Sequence, residues 1–235
     1  MQVRVIAIIP ARGGSKGIPR KNLQDIAGDP LVGRKINQAK SSSCTEVWVS
    51  TDDAEIAQMS ISYGAKIIHR PDFLASDESS TDDMLMHAID ELECNDLDVL
   101  VLLQPTSPLL ELSTINDCIQ HLLDHTEFNS VITIKEGHPF MWESQDGVLW
   151  NPDGHTRVHR PRRQELGIGG WETGGCYAIR ASSLRQQAVR YPAPTSMVNV
   201  TYLEALDIDT YDDLEVVRQL LRENLDNNLK GDTHE

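Results

Sequence analysis

The sequence predicts an α/β fold in which helices flank a mostly parallel, Rossmann-like sheet. Short apolar runs alternate with segments of helical periodicity along the 235 residues, as is typical of repeated βαβ units. Residues 98–103 are almost continuously apolar, as expected of a parallel strand buried on both faces. The first apolar run, residues 3–9, leads directly into a glycine-rich segment. We therefore expect one domain over residues 1–235, with a ligand site at the carboxyl edge of its sheet.

The first half of the chain supplies most of the predicted elements. Apolar residues recur at helical spacing between 31 and 39, and β-branched or aromatic residues over 46–50 predict a strand. A helix is expected to begin at Thr51, with a hydroxyl cap and acids in its first turn, and to run to Gly64. A strand at 65–69 and a helix at 79–92 then precede the buried strand.

The second half contains one interruption. After a helix at 113–123 and a strand at 130–134, residues 135–171 are rich in Pro, Gly, His and Arg, and only 148–150 resemble a strand. So long a connection is unusual in a compact domain, and we interpret it as an insertion that contacts substrate or a partner. A strand at 175–179, a last strand near 202–207 and a C-terminal helix follow. The residues from Thr210 to Asp213 predict a capping box for that helix.

Composition narrows the class of protein. The formal net charge is -15, which argues against nucleic-acid binding through a general basic face. No apolar run approaches the ~20 residues that span a bilayer, and no signal peptide is recognisable. The four cysteines lack CxxC spacing, as expected of reduced thiols. We expect a cytoplasmic protein without nucleic-acid or membrane partners.

Residues 10–22 predict a phosphate-binding loop. The glycines allow a tight turn whose N–H groups can approach an anion, although the spacing matches neither a P-loop nor G-x-G-x-x-G. The side chain of Asn22 could either cap this loop or contact a base. Four cations accumulate here in an otherwise acidic chain: Arg12, Lys16, Arg20 and Lys21.

A second candidate site is the pair Asp207 and Asp209. On a strand these side chains would share one face, and two adjacent carboxylates repel unless a cation lies between them. Mg²⁺ held by carboxylates and phosphate oxygens is the natural match. The alternative is a strand end where one acid caps the next helix, but a phosphate loop elsewhere in the chain favours metal binding.

Two further segments carry polar groups suited to a substrate. Gln104 and Thr106 follow the buried strand in a proline-bounded turn, which is either a simple strand end or part of the ligand edge. Residues 157–164 are strongly cationic. They could match an acidic surface of another subunit or recognise a carboxylate or pyrophosphate, for which arginine is suited.

Together these motifs resemble those of the acylneuraminate cytidylyltransferases, also called CMP-sialic acid synthetases. The resemblance begins at residues 9–17 with Lys21-Asn22 and covers nearly the whole chain in the family's order. Each motif is modest alone, but the set is specific. The later motifs are Ser50-Thr51-Asp52, Arg70-Pro71, residues 74–77, residues 103–108, Arg163-Gln164 and Asp207-Ile208-Asp209.

The resemblance implies a nucleotidyltransferase reaction. CTP and a 2-keto sugar acid, sialic acid or a related nonulosonate, would give the CMP-sugar and pyrophosphate with Mg²⁺ as cofactor. The anomeric hydroxyl of the acid would attack the α-phosphate. Family members are dimers, so the resemblance also implies a homodimer in which the insertion at 135–171 is the dimerisation arm.

The resemblance also implies roles for individual residues. The catalytic set would be Arg12, Lys16, Lys21 and Asp209, with Arg12 and Lys21 holding the triphosphate and Lys16 steadying the pyrophosphate. The nucleotide-binding set would be Arg12, Gly13, Gly14, Ser15, Lys21, Asn22, Arg70 and Thr81. The substrate-binding set would be Gln104, Thr106, Arg163 and Tyr177, and the metal ligands would be Asp207 and Asp209.

The chain departs from the sialic acid pattern at three places on the sugar side, and Thr81, on the nucleotide side, stands where relatives have a serine. Met141 stands where relatives have lysine, Thr173 where they have asparagine, and Arg190-Tyr191 where they have paired phenylalanines. We hypothesise that CTP is retained while the acid differs from N-acetylneuraminate. The alternatives are a Kdo-like or phosphonate-type acid acceptor, a glycosyltransferase that uses Asp-x-Asp, and a non-catalytic nucleotide-binding module.

Overall fold

The chain alternates strands and helices through most of its length. The computed structural model describes residues 3–137, 143–145, 148–150 and 169–231. The strands are β1 (Val5–Pro10), β2 (Asp25–Ile26), β3 (Asp29–Pro30), β4 (Glu46–Thr51), β5 (Lys66–His69), β6 (Val99–Leu103), β7 (Ser130–Glu136), β8 (Glu143–Gln145), β9 (Val148–Trp150), β10 (Gly170–Arg180) and β11 (Thr195–Asn199). The helices are α1 (Leu31–Ser41), α2 (Ala54–Ser62), α3 (Thr81–Glu91), α4 (Leu112–Asp124), α5 (Ala181–Gln187) and α6 (Tyr211–Gly231). Two short 3₁₀ turns occupy Lys21–Leu23 and Asp72–Leu74.

Seven strands form one sheet in the order β11-β7-β10-β6-β1-β4-β5. Neighbouring strands pair in parallel except around β10, which is antiparallel to both β6 and β7. The predicted α/β fold with a mostly parallel sheet is confirmed. Because β1 lies between β6 and β4, the loop that follows it leaves from the middle of the carboxyl edge.

Apolar side chains cover both faces of the sheet. One buried cluster joins the sheet to α1, α2 and α4, and a second joins the other face to α3 and α5. A third cluster lies at the carboxyl edge, where Ile18 packs with Ile208 and with Leu214 of α6, all three without solvent exposure. This third cluster holds the glycine-rich loop against the segment that precedes α6.

The prediction of a strand near residues 202–207 is wrong. Residues 202–205 form turns, in which Ala205 N–H donates to Thr201 O. The carboxylate of Glu204 is 5% exposed and accepts from Thr201 N–H, Glu111 N–H and the Thr114 hydroxyl. These local bonds satisfy the backbone in a turn, and the edge of the sheet is formed instead by β11.

Smaller differences between the predictions and the structure concern the residues at which helices begin and end. Asp53, not Thr51, caps α2, because its carboxylate accepts from the Glu55 and Ile56 N–H groups. That helix ends at Ser62, before Gly64. The capping box from Thr210 to Asp213 is confirmed, since hydroxyl and carboxylate accept each other's backbone N–H groups. Among the residues described, no helix combines the length and apolar character needed to cross a bilayer.

Candidate nucleotide-binding site

A polar cleft of about 400 Å³ opens at the carboxyl edge of the sheet. Its walls come from the glycine-rich loop, the segment from Arg70 to Thr81, the turn after β6, and Asp209. The lining includes most of the predicted site: Arg12, Ser15, Lys16, Lys21, Asn22, Arg70, Thr81, Gln104, Thr106 and Asp209.

The glycine-rich loop keeps its shape through close backbone approaches. A Cβ at Gly13 would lie 2.7 Å from the Asp53 carboxylate, and one at Gly17 would lie 2.5 Å from Asp209 O. The Asn22 side chain is 6% exposed and donates to Arg12 O at 3.0 Å, so it caps the loop. Arg20 turns away from the cleft and pairs with the acids that begin α2.

Lys21 joins the loop to the acidic pair. Its ammonium group donates to Ile208 O at 2.7 Å and lies 3.2 Å from Asp209 Oδ1. Asp209 is largely exposed on the cleft wall, with 76% of its side chain accessible. The structure thus brings the cationic loop and the late acidic pair together, with the acidic pair on a loop and not on a strand.

Asp207 lies behind the cleft wall. Its Oδ1 accepts from the Ser107 hydroxyl at 3.3 Å. Burial raises the pKa of Asp207, and the nearby Asp209 carboxylate raises it further, while Lys21 acts in the opposite direction. Within the described residues no group of three His, Cys, Asp or Glu side chains could hold a metal, so any cation here depends on two carboxylates and on ligands from a substrate.

The cations of the loop already hold a carboxylate. Asp77 lies 3.1 Å from Arg12 and 2.9 Å from Lys16, and Arg12 also donates to Ser76 O at 3.0 Å. Lys16 and then Arg12 lower the pKa of Asp77. Asp77 ends the motif at residues 74–77, to which the resemblance assigns no role. Its contact with both cations shows that the space between them accepts an oxyanion.

Arg70 and Thr81 form the opposite wall. The Arg70 guanidinium is 8% exposed and bonds Ser50 through both its hydroxyl (3.1 Å) and its carbonyl (2.8 Å). Burial lowers the pKa of Arg70 to about 10. Thr81 is the first residue of α3, whose N-terminus faces the cleft, and the dipole of a helix favours negative charge at this end.

The residues predicted to bind the sugar acid are only partly brought together in the structure. Gln104 lines the cleft, and its N–H donates to Gly175 O at 3.4 Å. Tyr177 is 1% exposed, with its hydroxyl donating to Glu172. Arg190 lies 6.0 Å from the centre of the Tyr177 ring. Arg163 and Met141 lie outside the described residues.

Known proteins resemble this chain over most of its length. Residues 6–146 match the family described as Cytidylyltransferase. N-acylneuraminate cytidylyltransferase B of Danio rerio is 37% identical over 174 residues, which cover 73% of this chain and 40% of that protein. CMP-N,N'-diacetyllegionaminic acid synthase of Legionella pneumophila is 32% identical over 236 residues, covering 94% of this chain and 98% of that protein. The chain therefore spans less than half the length of the zebrafish protein.

Solved structures share the fold. A CMP:2-keto-3-deoxy-manno-octonic acid synthetase complexed with CTP superposes with a TM-score of 0.70 at 21% identity, covering 94% of this chain and 99% of that one. A 4-diphosphocytidyl-2C-methyl-D-erythritol synthase superposes with a TM-score of 0.67 at 10% identity, covering 94% of this chain and 100% of that one. At these identities the likeness concerns the arrangement of strands and helices.

Proposed function

The chain belongs to the cytidylyltransferase family, and on this premise we propose that it transfers CMP from CTP to a 2-keto sugar acid and releases pyrophosphate. The main observation that supports this proposal is the contact between Lys21 and Asp209, whose ammonium and carboxylate groups are 3.2 Å apart. This contact joins the cationic loop to the acidic pair in one cleft. A non-catalytic nucleotide-binding module would not need this juxtaposition.

The triphosphate would lie along the glycine-rich loop. Arg12, Lys16 and Lys21 supply three positive charges beside the loop's N–H groups, and Arg12 and Lys16 already bind an oxyanion in Asp77. Gly13, Gly14 and Ser15 would let the backbone approach the phosphates. Such a site acts mainly by positioning the reactants and by stabilising the charge that develops on the leaving pyrophosphate.

The cytidine would lie on the other side of Lys21. Arg70 is fixed by its two bonds to Ser50 and presents a buried cation, while Thr81 offers a hydroxyl at the start of α3. Asn22 contributes by holding the loop at Arg12 O. This assignment leaves the base in the part of the cleft farthest from the turn after β6.

The acid would bind near that turn. Gln104 and Thr106 offer neutral hydrogen-bonding groups there, Tyr177 lies on the neighbouring strand β10 with its hydroxyl bonded to Glu172, and Arg163 is the proposed partner of the carboxylate. The anomeric oxygen forms a bond to the α-phosphorus as the bond to the bridging oxygen of pyrophosphate breaks. The hydroxyl proton passes to solvent.

Asp207 and Asp209 fit a divalent cation. Both are hard oxygen donors, and the raised pKa of Asp207 reflects burial beside a second carboxylate, an arrangement that a cation between them relieves. Bound Mg²⁺ would neutralise phosphate oxygens. Lys21, next to Asp209, would then hold the same phosphates from the loop side.

The acceptor class we propose is sialic acid or a related nonulosonate. Two kinds of relative support this class: the zebrafish proteins are named for N-acylneuraminate, and the Legionella protein, which this chain covers almost fully, is named for N,N'-diacetyllegionaminic acid. Arg190 lies 6.0 Å from the centre of the Tyr177 ring, and Thr173 bonds Thr133 on the neighbouring strand; both depart from the sialic acid pattern, which favours an acid other than N-acetylneuraminate.

A homodimer and a cytoplasmic location complete the proposal. The insertion at 135–171 would serve as the dimerisation arm of a single domain. One exposed apolar side chain lies at its carboxyl end and another on the edge strand β11, with Trp171 40% and Met197 50% exposed. Sedimentation equilibrium tests the dimer, and a monomer at micromolar concentration would contradict it.

The activity is tested by pyrophosphate release from the purified chain. CTP, Mg²⁺ and a sugar acid should all be required, and ATP, GTP or UTP should not replace CTP. Omitting the acid distinguishes transfer from simple hydrolysis. Pyrophosphate release from CTP that does not depend on any acid of this class would contradict the proposal.

A further inference from the structure

Lys35 is a fully buried lysine in the middle of α1. Its side chain has no solvent exposure, although lysine is almost never fully buried unless it is paired. Its ammonium nitrogen donates to Ser107 O at 2.9 Å. Burial lowers the pKa of Lys35 to about 7, Arg34 lowers it too, and Cys176 and Asp207 act in the opposite direction.

The acceptor of this bond belongs to the turn that lines the cleft. Ser107 N–H donates to Gln104 O at 3.3 Å, which closes the turn, and Gln104 and Thr106 face the cleft. On its other side the turn contacts the acidic pair, through the bond from Ser107 to Asp207 and the bond from Ile208 N–H to Thr106 O at 2.9 Å. Lys35 therefore contacts the turn from the buried core of the protein, on the side opposite the cleft.

Stability alone is a poor reason for a lysine at this place. Removing a charged group from water costs several kcal/mol, and replacing buried ionic groups with apolar residues of similar volume is often neutral or stabilising. Gln38, one turn later on α1, also binds a loop carbonyl, Leu110 O at 2.7 Å, and does so without a charge.

We propose that Lys35 is a positioning residue that holds the turn from Gln104 to Ser107 in the shape that receives the acceptor acid. The inference rests on the proposed function, because it gives the turn a role in acid binding. The glycine-rich loop and the segment from Arg70 to Thr81, which build the nucleotide side of the cleft, are separate stretches of chain from this turn, and the turn reaches them only indirectly, through the acidic pair.

The test compares Lys35→Met with Gln38→Met. Methionine has a similar volume to lysine but cannot donate, and the Gln38 variant removes an equivalent bond from the same helix outside the cleft. We expect Lys35→Met to raise the KM for the acid by about 10-fold or more and to change the KM for CTP by less than about 2-fold. Gln38→Met should leave both values near those of the wild type.

Hydrogen exchange supplies a readout that is independent of activity. Amides of Gln104, Thr106 and Ser107 should exchange about 10-fold faster in Lys35→Met than in the wild type, and Gln38→Met should leave them unchanged. If the wild type releases no pyrophosphate, the proposed function falls, while this measurement still decides whether Lys35 holds the turn.

Three results would overturn the inference. They are unchanged exchange in the turn, equal rises in the KM for both substrates, and equal effects of the two variants. Lys35→Leu is the second apolar replacement if the methionine variant does not fold. Failure of both to fold would make Lys35 a residue of the folding core and would also overturn it.

Discussion

Lys21 and Asp209 are 188 positions apart in the chain, yet the lysine ammonium lies 3.2 Å from the aspartate carboxylate. Two features bring them together. Ile18 and Ile208 share a buried cluster, and Gly17 has no side chain where Asp209 O approaches. The first and last thirds of the chain thus build one wall of the cleft jointly.

Asp209→Ala should abolish turnover without unfolding the protein. The side chain is 76% exposed, so its loss removes little packing, but it removes one of two carboxylates available to a cation. We expect kcat to fall by roughly 10²-fold or more, the scale on which preorganised charge contributes to catalysis. Steady-state kinetics over a range of Mg²⁺ concentrations, with urea unfolding as the stability check, measures both effects.

The matched control is Asp212→Ala, an exposed acid in the first turn of α6. It should keep wild-type kinetics. Unchanged turnover in Asp209→Ala would count against the metal assignment.

Asp77→Asn should strengthen CTP binding. In the free protein the Asp77 carboxylate lies against Arg12 and Lys16, so an incoming triphosphate must displace it. Exposed ion pairs are individually weak, and we expect the KM for CTP to fall by only about 2- to 5-fold. Calorimetric titration with pyrophosphate should show the same direction of change.

Glu78→Gln, the adjacent acid on the same segment, serves as its control. A weaker affinity for CTP in Asp77→Asn would mean that Asp77 supports the bound nucleotide instead of competing with it.

Competition between acceptor acids tests the hypothesis that the preferred acid differs from N-acetylneuraminate. With CTP and Mg²⁺ fixed, N-acetylneuraminate, Kdn, legionaminate, pseudaminate and Kdo compete as acceptors, and the CMP-sugars are quantified by mass spectrometry. We expect an acid other than N-acetylneuraminate to have the highest kcat/KM, because Thr173 and Arg190 replace the residues of the sialic acid pattern and Arg190 lies 6.0 Å from the centre of the Tyr177 ring. A clear preference for N-acetylneuraminate over all the others refutes this expectation.

The stability of the wild type should rise with pH above neutrality, relative to Lys35→Met. The pKa of Lys35 is lowered to about 7 in the folded state and is about 10.4 in the unfolded chain. Between these values the unfolded state binds one proton more, so the free energy of unfolding increases by up to about 1.4 kcal/mol per pH unit. Urea unfolding at pH 7.5 and 9.5 measures this, and parallel pH dependence in both proteins would show that Lys35 does not titrate in this range.

Much of the fold follows from local pattern, whereas part of the site does not. The apolar runs at β1, β4, β6 and β7 are dense enough to be recognised, because buried parallel strands require them. The expected strand at 202–207 failed because the Glu204 carboxylate satisfies the local backbone in a turn, and a side-chain bond of this kind leaves no periodicity. The edge strand β11 has mixed polarity, so its pattern was too weak to predict.

Within the site, the sequence indicated which types of residue are present more reliably than which residues contact one another. The loop cations and the acidic pair were recognisable because they are unusual in their surroundings. Asp77 and Lys35 were missed as site residues because their importance lies in contacts with residues far away in the sequence, Asp77 with Arg12 and Lys35 with Ser107, which is 72 positions away. Tyr177 was expected beside the substrate, but its ring is buried in the core.

Within the seven-stranded sheet, the antiparallel strand β10 has a consequence for how members of this family can come to differ. Because β10 runs against its neighbours, Glu136 at the end of β7 pairs with Gly170 at the start of β10, and Gly175 meets Gln104 at the same edge. Glu136 and Gly170, which flank most of the insertion, therefore lie side by side on β7 and β10, and β10 is also the neighbour of β6. Under the proposed function, substitutions in the insertion would change the choice of acid without altering the glycine-rich loop that we propose for the triphosphate, because that loop comes from a distant stretch of chain.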